Sequence, residues 1–354
     1  MFTISVCMIV KDEEKTIERV LSCAKKFADE IVVVDTGSKD NTVNLAKKFT
    51  NKIFRFEWCD DFSKARNFAF SLGSCDYLMW LDGDDVITQK NVDKILQLKQ
   101  REKDVDVFMF KYIASFDENG KPNFNFYRER LLKREDNFRW EGFVHEAISP
   151  FGKIEYCDIE IEHRKIQVNE KNRNLKLYRK AKKRGVVFGP REQYYYAREL
   201  YYSKYYKAAI LQLKKYLRMN DPYEPNIIGA YLILSECEFF IGQNDCALRH
   251  LFDCIKKYPP NAQICNLIAS IYETQGDFKQ AIFWNKCALN CERSLQGFIV
   301  EDYFAFIPYM KLVVLYDKIG DVLNAKKFHE LAKEIKPNNA SVIYNDKYFA
   351  TKNM

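Results

Sequence analysis

The sequence predicts an α/β domain followed by an all-α domain of helical repeats. In the first half of the 354 residues, short apolar runs alternate with amphipathic helical patterns, which is typical of a parallel sheet wound as right-handed βαβ units. From Glu192 onward the pattern is helical throughout, and glycine and alanine recur at a spacing of 34 residues. We expect the α/β domain to span 1–170, a basic linker helix 171–191 and the repeats 192–354.

The composition is that of a globular protein of the cytoplasm. No apolar run reaches the ~18 residues that a bilayer-spanning helix needs, and the N-terminus lacks the basic region and cleavage site of a secretory signal. Eleven cysteines without regular spacing favour reduced thiols over disulfides or zinc. Nine basic residues and no acid occur at 171–191, which predicts either a solvated helix face or an anionic partner. Nucleic acid is excluded as that partner, because no nucleic-acid-binding module accompanies the stretch.

The first domain should contain four strands in βαβ order. We expect strands at 4–10, 30–35, 53–56 and 77–81, with helices at about 13–27, 42–49 and 63–72. A β-hairpin with strands at 107–116 and 123–132 follows, and a further strand at 157–163. Ligands of such sheets bind beyond the carboxyl ends of the strands. Asp35 and the acids after Leu81 both stand at such ends, so we expect them to line one crevice.

The C-terminal half should consist of stacked helix–turn–helix units. Gly242 and Gly276 are 34 residues apart, and so are Ala247 and Ala281. The glycine serves the turn within a helix pair, and the small alanine lets two helices approach closely. This pattern resembles the tetratricopeptide repeat, with three clear repeats and one partial repeat; the alternative is a helical bundle without repeats.

The stretch WLDGDD places Asp82, Asp84 and Asp85 directly after an apolar strand. Carboxylates this close repel one another unless a positive charge lies among them. An Asp-x-Asp pair can hold Mg²⁺ or Mn²⁺, and such a cation neutralises a diphosphate. The alternative is an acidic surface loop, but the position after a buried strand favours the metal site.

Four segments resemble, in order and spacing, the nucleotide-sugar-binding blocks of the family 2 glycosyltransferases, which have the GT-A fold: SVCMIVKDEEKTIERVL, ADEIVVVDTGSKDNT, SKARNFAF and YLMWLDGDD. The resemblance covers about residues 3–165. RWEGFVHEAI and IEIEH further resemble a bacterial subgroup that carries tetratricopeptide repeats behind the transferase. Some members of that subgroup glycosylate peptides or proteins, and related enzymes act on lipopolysaccharide-core sugars. The resemblance implies a UDP-sugar donor, with UDP-glucose and UDP-N-acetylglucosamine favoured.

The resemblance also implies which residues bind the nucleotide. The backbone of Met8, Ile9 and Val10 and the carboxylate of Asp35 would hold the uridine. Arg66 would contact the nucleotide from the facing side.

A second group of residues would bind the metal and the diphosphate. By the same resemblance, Asp84 and His163 ligate the metal, and Asp82 reaches the ribose or a metal-bound water. The alternative for His163 is a satisfied polar residue. Lys171 and Arg173 would clamp the diphosphate, unless they belong to a solvated basic face.

An inverting transferase needs a general base that deprotonates the acceptor. We predict Glu146 as this base, in an aromatic setting with Trp140 and Phe143. Glu141 is the reserve candidate, and His145 would orient the base. The alternative for Glu146 is a structural ion pair with a nearby arginine.

Together these inferences predict a metal-dependent inverting glycosyltransferase that moves a sugar from a UDP-sugar to a peptide or protein side chain. The repeats would dock the acceptor or form a homodimer. A second interpretation replaces the acceptor by a cell-surface saccharide or glycolipid and turns the 171–191 stretch toward an anionic membrane. A third is a non-catalytic repeat scaffold, against which the intact site residues argue.

Overall fold

The structure is a computed structural model of the chain, and it describes residues 1–117, 120–164, 166, 172–221, 223–293 and 297–351. The chain forms two compact units. The first consists of Met1–Ser115 and Asn125–Val187, and the second of Phe116–Phe124 and Phe188–Met354. The predicted fold class, an α/β domain followed by an all-α repeat domain, is confirmed.

A mixed β-sheet forms the centre of the first unit. The strands are β1 (Ile4–Val10), β2 (Glu30–Asp35), β3 (Ile53–Arg55), β4 (Tyr77–Trp80), β5 (Asp85–Val86), β6 (Val107–Phe116), β7 (Pro122–Lys133), β8 (Trp140–Glu141), β9 (Ala147–Ile148) and β10 (Ile154–His163). The order across the sheet is β3-β2-β1-β4-β7-β6-β10-β5, and β8 and β9 pair separately. The first four strands are parallel, as predicted, whereas β7 runs antiparallel to β4 and makes the sheet mixed.

Helices cover both faces of this sheet. They are α1 (Ile17–Ala24), α2 (Thr42–Ala46), α3 (Phe62–Ser71) and α4 (Gln89–Lys99); a fifth helix of this unit, α5 (Arg173–Lys183), follows the last strand. Ile4 and Val6 of β1 enter one core with residues of α1 and α4, whereas Cys7 enters a second core with residues of α3. A strand buried on both faces is apolar along its whole length, which explains the continuous apolar runs in the sequence.

The second unit consists of helices that follow one another in pairs. They are α6 (Pro190–Tyr202), α7 (Tyr206–Tyr216), α8 (Glu224–Phe240), α9 (Asn244–Ile255), α10 (Ala262–Thr274), α11 (Phe278–Leu289), α12 (Phe306–Lys318), α13 (Val322–Ile335) and α14 (Ala340–Thr351), with a short strand β11 (Ile299–Val300). In the described residues, α6 to α13 pack as four consecutive pairs. The predicted Ala247 and Ala281 are fully buried, and so are Ala209 and Ala325 in the other two pairs. Within the same residues, no helix combines the length and apolarity needed to cross a bilayer.

The tip of the β6–β7 hairpin belongs to the helical unit. Asn123 Oδ1 accepts a hydrogen bond from the backbone N–H of Asp302 (3.3 Å), and the rings of Phe124 and Phe298 lie 5.6 Å apart. These contacts join residues that are far apart in the sequence, so no local pattern predicted them.

Candidate active site

Asp35 and the acidic stretch after β4 lie at the same edge of the sheet. β1 pairs in parallel with both β2 and β4, and Val10 stands opposite Asp35, so the carboxyl ends of the three strands are neighbours. Asp35 is buried, and its carboxylate accepts hydrogen bonds from the backbone N–H groups of Gly37 (3.2 Å) and Ser38 (3.0 Å). The two acidic positions expected to share a crevice therefore lie at strand ends that only the end of β1 separates.

The end of β1 and Asp35 are the parts of the chain expected to hold the uridine, and a cavity lies beside Asp35. Met8 and Val10 are buried, and Ile9 is half-buried. The Val10 carbonyl accepts hydrogen bonds from the N–H (3.0 Å) and the hydroxyl (3.1 Å) of Thr36, which ties β1 to the turn after β2. The cavity has a volume of about 450 Å³ and is lined by Asp35, Val43, Lys47, Thr50, Asn51, Ile53, Phe54 and Arg55.

Asp85 is fully buried, and the chain itself supplies its positive partner. Arg130 on β7, also fully buried, donates from Nη1 to Asp85 Oδ2 (3.0 Å) and to the carbonyl of Trp80 (2.9 Å). Asp85 Oδ2 also accepts from the backbone N–H of Asp82 (3.0 Å), and Oδ1 accepts from Tyr112 Oη (3.1 Å). A charge is costly to bury unless it is paired and hydrogen-bonded, so these contacts fix the turn that presents the other two acids.

Asp84 lies next to His163, the residue expected to share a metal with it. The pairing of β5 with β10 sets His163 opposite Asp85 and brings His163 Nδ1 to 3.2 Å from Asp84 Oδ1. One ligand atom from each of these three residues lies within 4.8 Å of the other two. Burial lowers the pKa of His163, but the adjacent carboxylates of Asp84 and Asp85 outweigh this and raise the pKa to about 10. Carboxylate oxygens with one imidazole nitrogen fit Mn²⁺ or Mg²⁺.

Glu13, before α1, and Arg19, within it, also reach this cluster, although no individual role was predicted for either residue. Glu13 packs on Gly83, where an added Cβ would lie 2.8 Å from Glu13 Cγ. Burial raises the pKa of Glu13; the hydrogen bond from Thr16 opposes the rise, and the charge of Asp84 adds to it. Arg19 Nη2 donates to the Asp84 carbonyl (3.0 Å). The glycine of WLDGDD therefore makes room for a fourth carboxylate.

Arg66 links Asp82 to Glu146. From α3, Arg66 Nη2 donates to Asp82 Oδ1 and Nε donates to Glu146 Oε1, each over 2.7 Å. The guanidinium carbon lies 5.0 Å from the ring centre of Trp80 and 4.7 Å from that of Trp140. Burial raises the pKa of Asp82, but the charge of Arg66 outweighs it and lowers the pKa to about 2. Arg66 is thus a buried cation between two of the predicted site carboxylates.

Glu146 is held by a loop between β8 and β9. The side-chain amide of Asn67 donates to the carbonyl of Trp140 and accepts from its N–H, each over 2.9 Å, which fastens this loop to α3. His145 has a positive φ of 54° and turns the chain directly before Glu146. The ion pair with an arginine, which was the alternative for Glu146, is present, and the reserve candidate Glu141 is exposed.

The basic helix α5 packs on the same loop. The ring of Tyr178 lies 5.0 Å from that of Phe143 and 6.5 Å from that of His145. Arg173, the first residue of α5, stacks its guanidinium on an aromatic ring at the start of α3, at 5.2 Å. Lys171 lies outside the described residues. Binding of a diphosphate by Lys171 and Arg173 stays a prediction.

Two family models match the chain. Residues 5–152 match the model described as Glycosyl transferase family 2, and residues 262–284 match a Tetratricopeptide repeat. The first match contains eight of the predicted site residues, namely Met8, Ile9, Val10, Asp35, Arg66, Asp82, Asp84 and Glu146.

Relatives of the chain bear names that agree with these two models. Glycosyltransferase SunS, derived from the SPbeta prophage of Bacillus subtilis, is 24% identical over 97% of this chain and 85% of its own length. A TPR repeat-containing protein of Synechococcus elongatus is 29% identical over 42% of this chain, which spans only 36% of that relative. An uncharacterized glycosyltransferase of Rickettsia typhi is 34% identical over 27% of this chain and 32% of its own length. The resemblance noted in the sequence is confirmed: the chain carries a family 2 glycosyltransferase domain in its N-terminal half and a tetratricopeptide repeat in its C-terminal half.

Proposed function

We propose that this chain is a metal-dependent, inverting glycosyltransferase that moves a sugar from a UDP-sugar to a side chain of a peptide or protein. The observation that carries the proposal is the bridge through the buried Arg66, which joins the partly buried Asp82 and Glu146 in one network. Asp84 lies two residues after Asp82 in the sequence. The pairing of β10 with β5 brings His163 next to Asp84. Direct displacement needs donor, cation and base held together in this way.

The donor side of the site is built from acids and a cavity. Asp35 and the cavity next to it would bind the uridine, and UDP-glucose and UDP-N-acetylglucosamine are the donors we favour. Asp84 and His163 would hold a Mn²⁺ or Mg²⁺ ion, with Asp82 close by; the chemistry such an ion supplies is neutralisation of the departing diphosphate. Lys171 and Arg173 would add charge-assisted hydrogen bonds to the same group.

Glu146 is the proposed base on the acceptor side. Its carboxylate takes the proton of the acceptor hydroxyl or thiol while the acceptor atom bonds to the anomeric carbon. The bond from that carbon to the diphosphate oxygen breaks, and its electron pair leaves with the diphosphate. Attack from the opposite face inverts the configuration. Arg66 orients Glu146 through a charge-assisted hydrogen bond of 2.7 Å.

The helical repeats support a peptide or protein as the acceptor. Stacked helix pairs form extended surfaces that suit partners with little structure of their own. We propose that the second unit docks the acceptor or a second copy of the chain. Both roles leave the chemistry to the first unit.

Replacement of Glu146 by glutamine tests the proposed function. Glu146→Gln should bind UDP with Mn²⁺ like the parent, because Asp35 and Asp84 are unchanged, and should lose transfer by about 10²–10⁴-fold. Transfer is measured as the mass shift of lysate peptides incubated with the protein, Mn²⁺ and each UDP-sugar.

Glu141→Gln is the matched control, since Glu141 ends β8 directly before the loop that carries Glu146 and is exposed. It should transfer sugar at the parental rate. Undiminished transfer by Glu146→Gln would place the base elsewhere, and a parent that modifies no peptide with any UDP-sugar would contradict the peptide acceptor.

A further inference from the structure

We propose that Cys265 and Cys291 are an oxidisable thiol pair, which a low-molecular-weight disulfide such as oxidised glutathione converts into a disulfide bond within the second unit. This modification site is independent of the proposed glycosyl transfer. Both cysteines carry free thiols in the structure, and their Sγ atoms lie 3.9 Å apart. A disulfide has a sulfur–sulfur distance of about 2.05 Å, so the two sulfurs must approach by only about 2 Å. Rotation about the Cα–Cβ bond of one cysteine moves its sulfur on that scale.

The packing of α10 against α11 sets this short distance. The turn that contains Gly276 joins the end of α10 to the start of α11, so the start of α10 and the end of α11 are neighbours at the open end of the pair. Cys265 is the fourth residue of α10, and Cys291 follows the last residue of α11 by two positions. Cys291 Sγ lies 3.5 Å from the carbonyl oxygen of Pro260 and 3.4 Å from that of Cys287, so its thiol is held at the entry of α10.

The two thiols differ in their access to solvent, which gives the oxidation an order. Cys265 is fully buried in a cluster with Ala262 and Ala288, whereas Cys291 is half-buried. The thiolate of Cys291 therefore attacks first, at one sulfur of oxidised glutathione, so that a mixed disulfide forms and a glutathione thiolate leaves. The thiolate of Cys265 then attacks Cys291 Sγ and displaces the second glutathione. Two protein thiols are oxidised to one disulfide, and oxidised glutathione is reduced to two glutathione molecules, which take up the two thiol protons.

A pair of thiols can also bind a metal ion such as Zn²⁺, but a structural zinc site needs four ligands. In the described part of the chain, the clusters of three or more possible metal ligands contain Asp84 or His329, and the two cysteines belong to neither cluster. A pair of sulfurs with no third ligand of this kind within 4.8 Å among those residues favours oxidation over metal binding.

The disulfide would close the pair of α10 and α11 covalently at its open end. The two cysteines are 26 residues apart in the sequence. A cross-link over such a separation reduces the conformational freedom of the unfolded chain and so stabilises the folded state. We expect oxidation to raise the thermal unfolding midpoint of the second unit by about 4 °C or more.

Peptide mapping by mass spectrometry tests the pair directly. The folded parent protein is incubated with oxidised glutathione, its remaining thiols are blocked with N-ethylmaleimide, and it is digested. We expect a cross-linked peptide that joins Cys265 to Cys291 and disappears on reduction, together with the higher unfolding midpoint. C291S should form no such peptide and show no rise in the midpoint. C265A, which keeps the buried position small and apolar, should instead retain one glutathione on Cys291, because the second thiol is missing.

C287S is the matched control, since Cys287 is half-buried and lies four residues before Cys291. It should form the same cross-link as the parent. A parent that keeps glutathione on Cys291 without forming the cross-link, that joins Cys287 to Cys291, or that leaves both thiols of the pair unmodified would overturn the proposal. An equal yield of the cross-link from parent protein unfolded in urea would do so as well, because the proximity in the folded pair would then not be its cause.

Discussion

Each of the three acids after β4 has a cationic side chain of the chain itself beside it. The pairs are Asp82 with Arg66 at 2.7 Å, Asp84 with His163 at 3.2 Å, and Asp85 with Arg130 at 3.0 Å. The sequence predicted that a positive partner must exist, because crowded carboxylates repel. The sequence indicated a metal ion as that partner. It did not indicate Arg130, which lies 45 residues from Asp85 along the chain. Long-range pairing of this kind leaves no local pattern.

His163 should make the stability of the metal-free protein depend on pH. Its pKa is raised to about 10 in the folded state, above its ordinary value near 6.5. The stabilisation from its pairing with Asp84 is therefore complete below about pH 6.5 and is lost as the pH rises through about 10. We expect the difference in the free energy of unfolding between the parent and His163→Gln, measured with urea in EDTA, to be larger at pH 6 than at pH 10. A difference that is the same at both pH values would contradict the pairing.

Three of the four turns within the helix pairs contain a glycine with a positive φ, and the fourth contains a lysine. Gly242, Gly276 and Gly320 have φ values of +79°, +79° and +82°, as expected for turns that need the left-handed region. The first pair has Lys204 in the corresponding turn, with a φ of +61°. A side chain in this region costs about 1–2 kcal/mol. The repeat spacing predicted Gly242 and Gly276, and the first repeat departs from the glycine pattern at Lys204.

Lys204→Gly should therefore stabilise the protein. We expect the free energy of unfolding to rise by about 0.5–1 kcal/mol, less than the strain itself because glycine also gives the unfolded chain more freedom. Gly242→Lys is the converse change; an added Cβ there meets no atom within 4 Å, so the expected loss of about 1–2 kcal/mol is conformational. Urea unfolding followed by circular dichroism measures both. Destabilisation by Lys204→Gly would show that Lys204 makes a contact of greater value than the strain.

Elements with local apolar patterns were predicted well, and elements fixed by distant contacts were not. The predicted strands at 4–10 and 30–35 match β1 and β2. The helix expected at about 13–27 begins only at Ile17, because Asp12 has a φ of +56° and a turn precedes the helix. β5 has two residues in an acidic stretch and exists through its pairing with β10, which no sequence period indicates.

Each of the two units of the molecule consists of two separate segments of the chain. The hairpin tip at 116–124 belongs to the helical unit, and Asn123 meets Asp302, which is 179 residues away. The sequence predicted both fold types from their periods of alternation. The sequence did not predict that residues 116–124 belong to the helical unit, because a contact over such a separation depends on the folded structure of both partners.

Binding of UDP in the presence and absence of Mn²⁺, measured by titration calorimetry, tests whether Asp84 and its neighbours hold a cation shared with the nucleotide diphosphate. Asp93→Asn is the control, since Asp93 is an exposed acid on α4.

We expect the parent and Asp93→Asn to bind UDP with Mn²⁺ and to lose this binding in EDTA. Changes to residues that only support a metal ligand cost about 10–100-fold in affinity, so Asp84→Asn should lose at least about 100-fold. Binding of UDP that is equally tight without Mn²⁺, or unchanged in Asp84→Asn, would show that Asp84 does not hold such a cation.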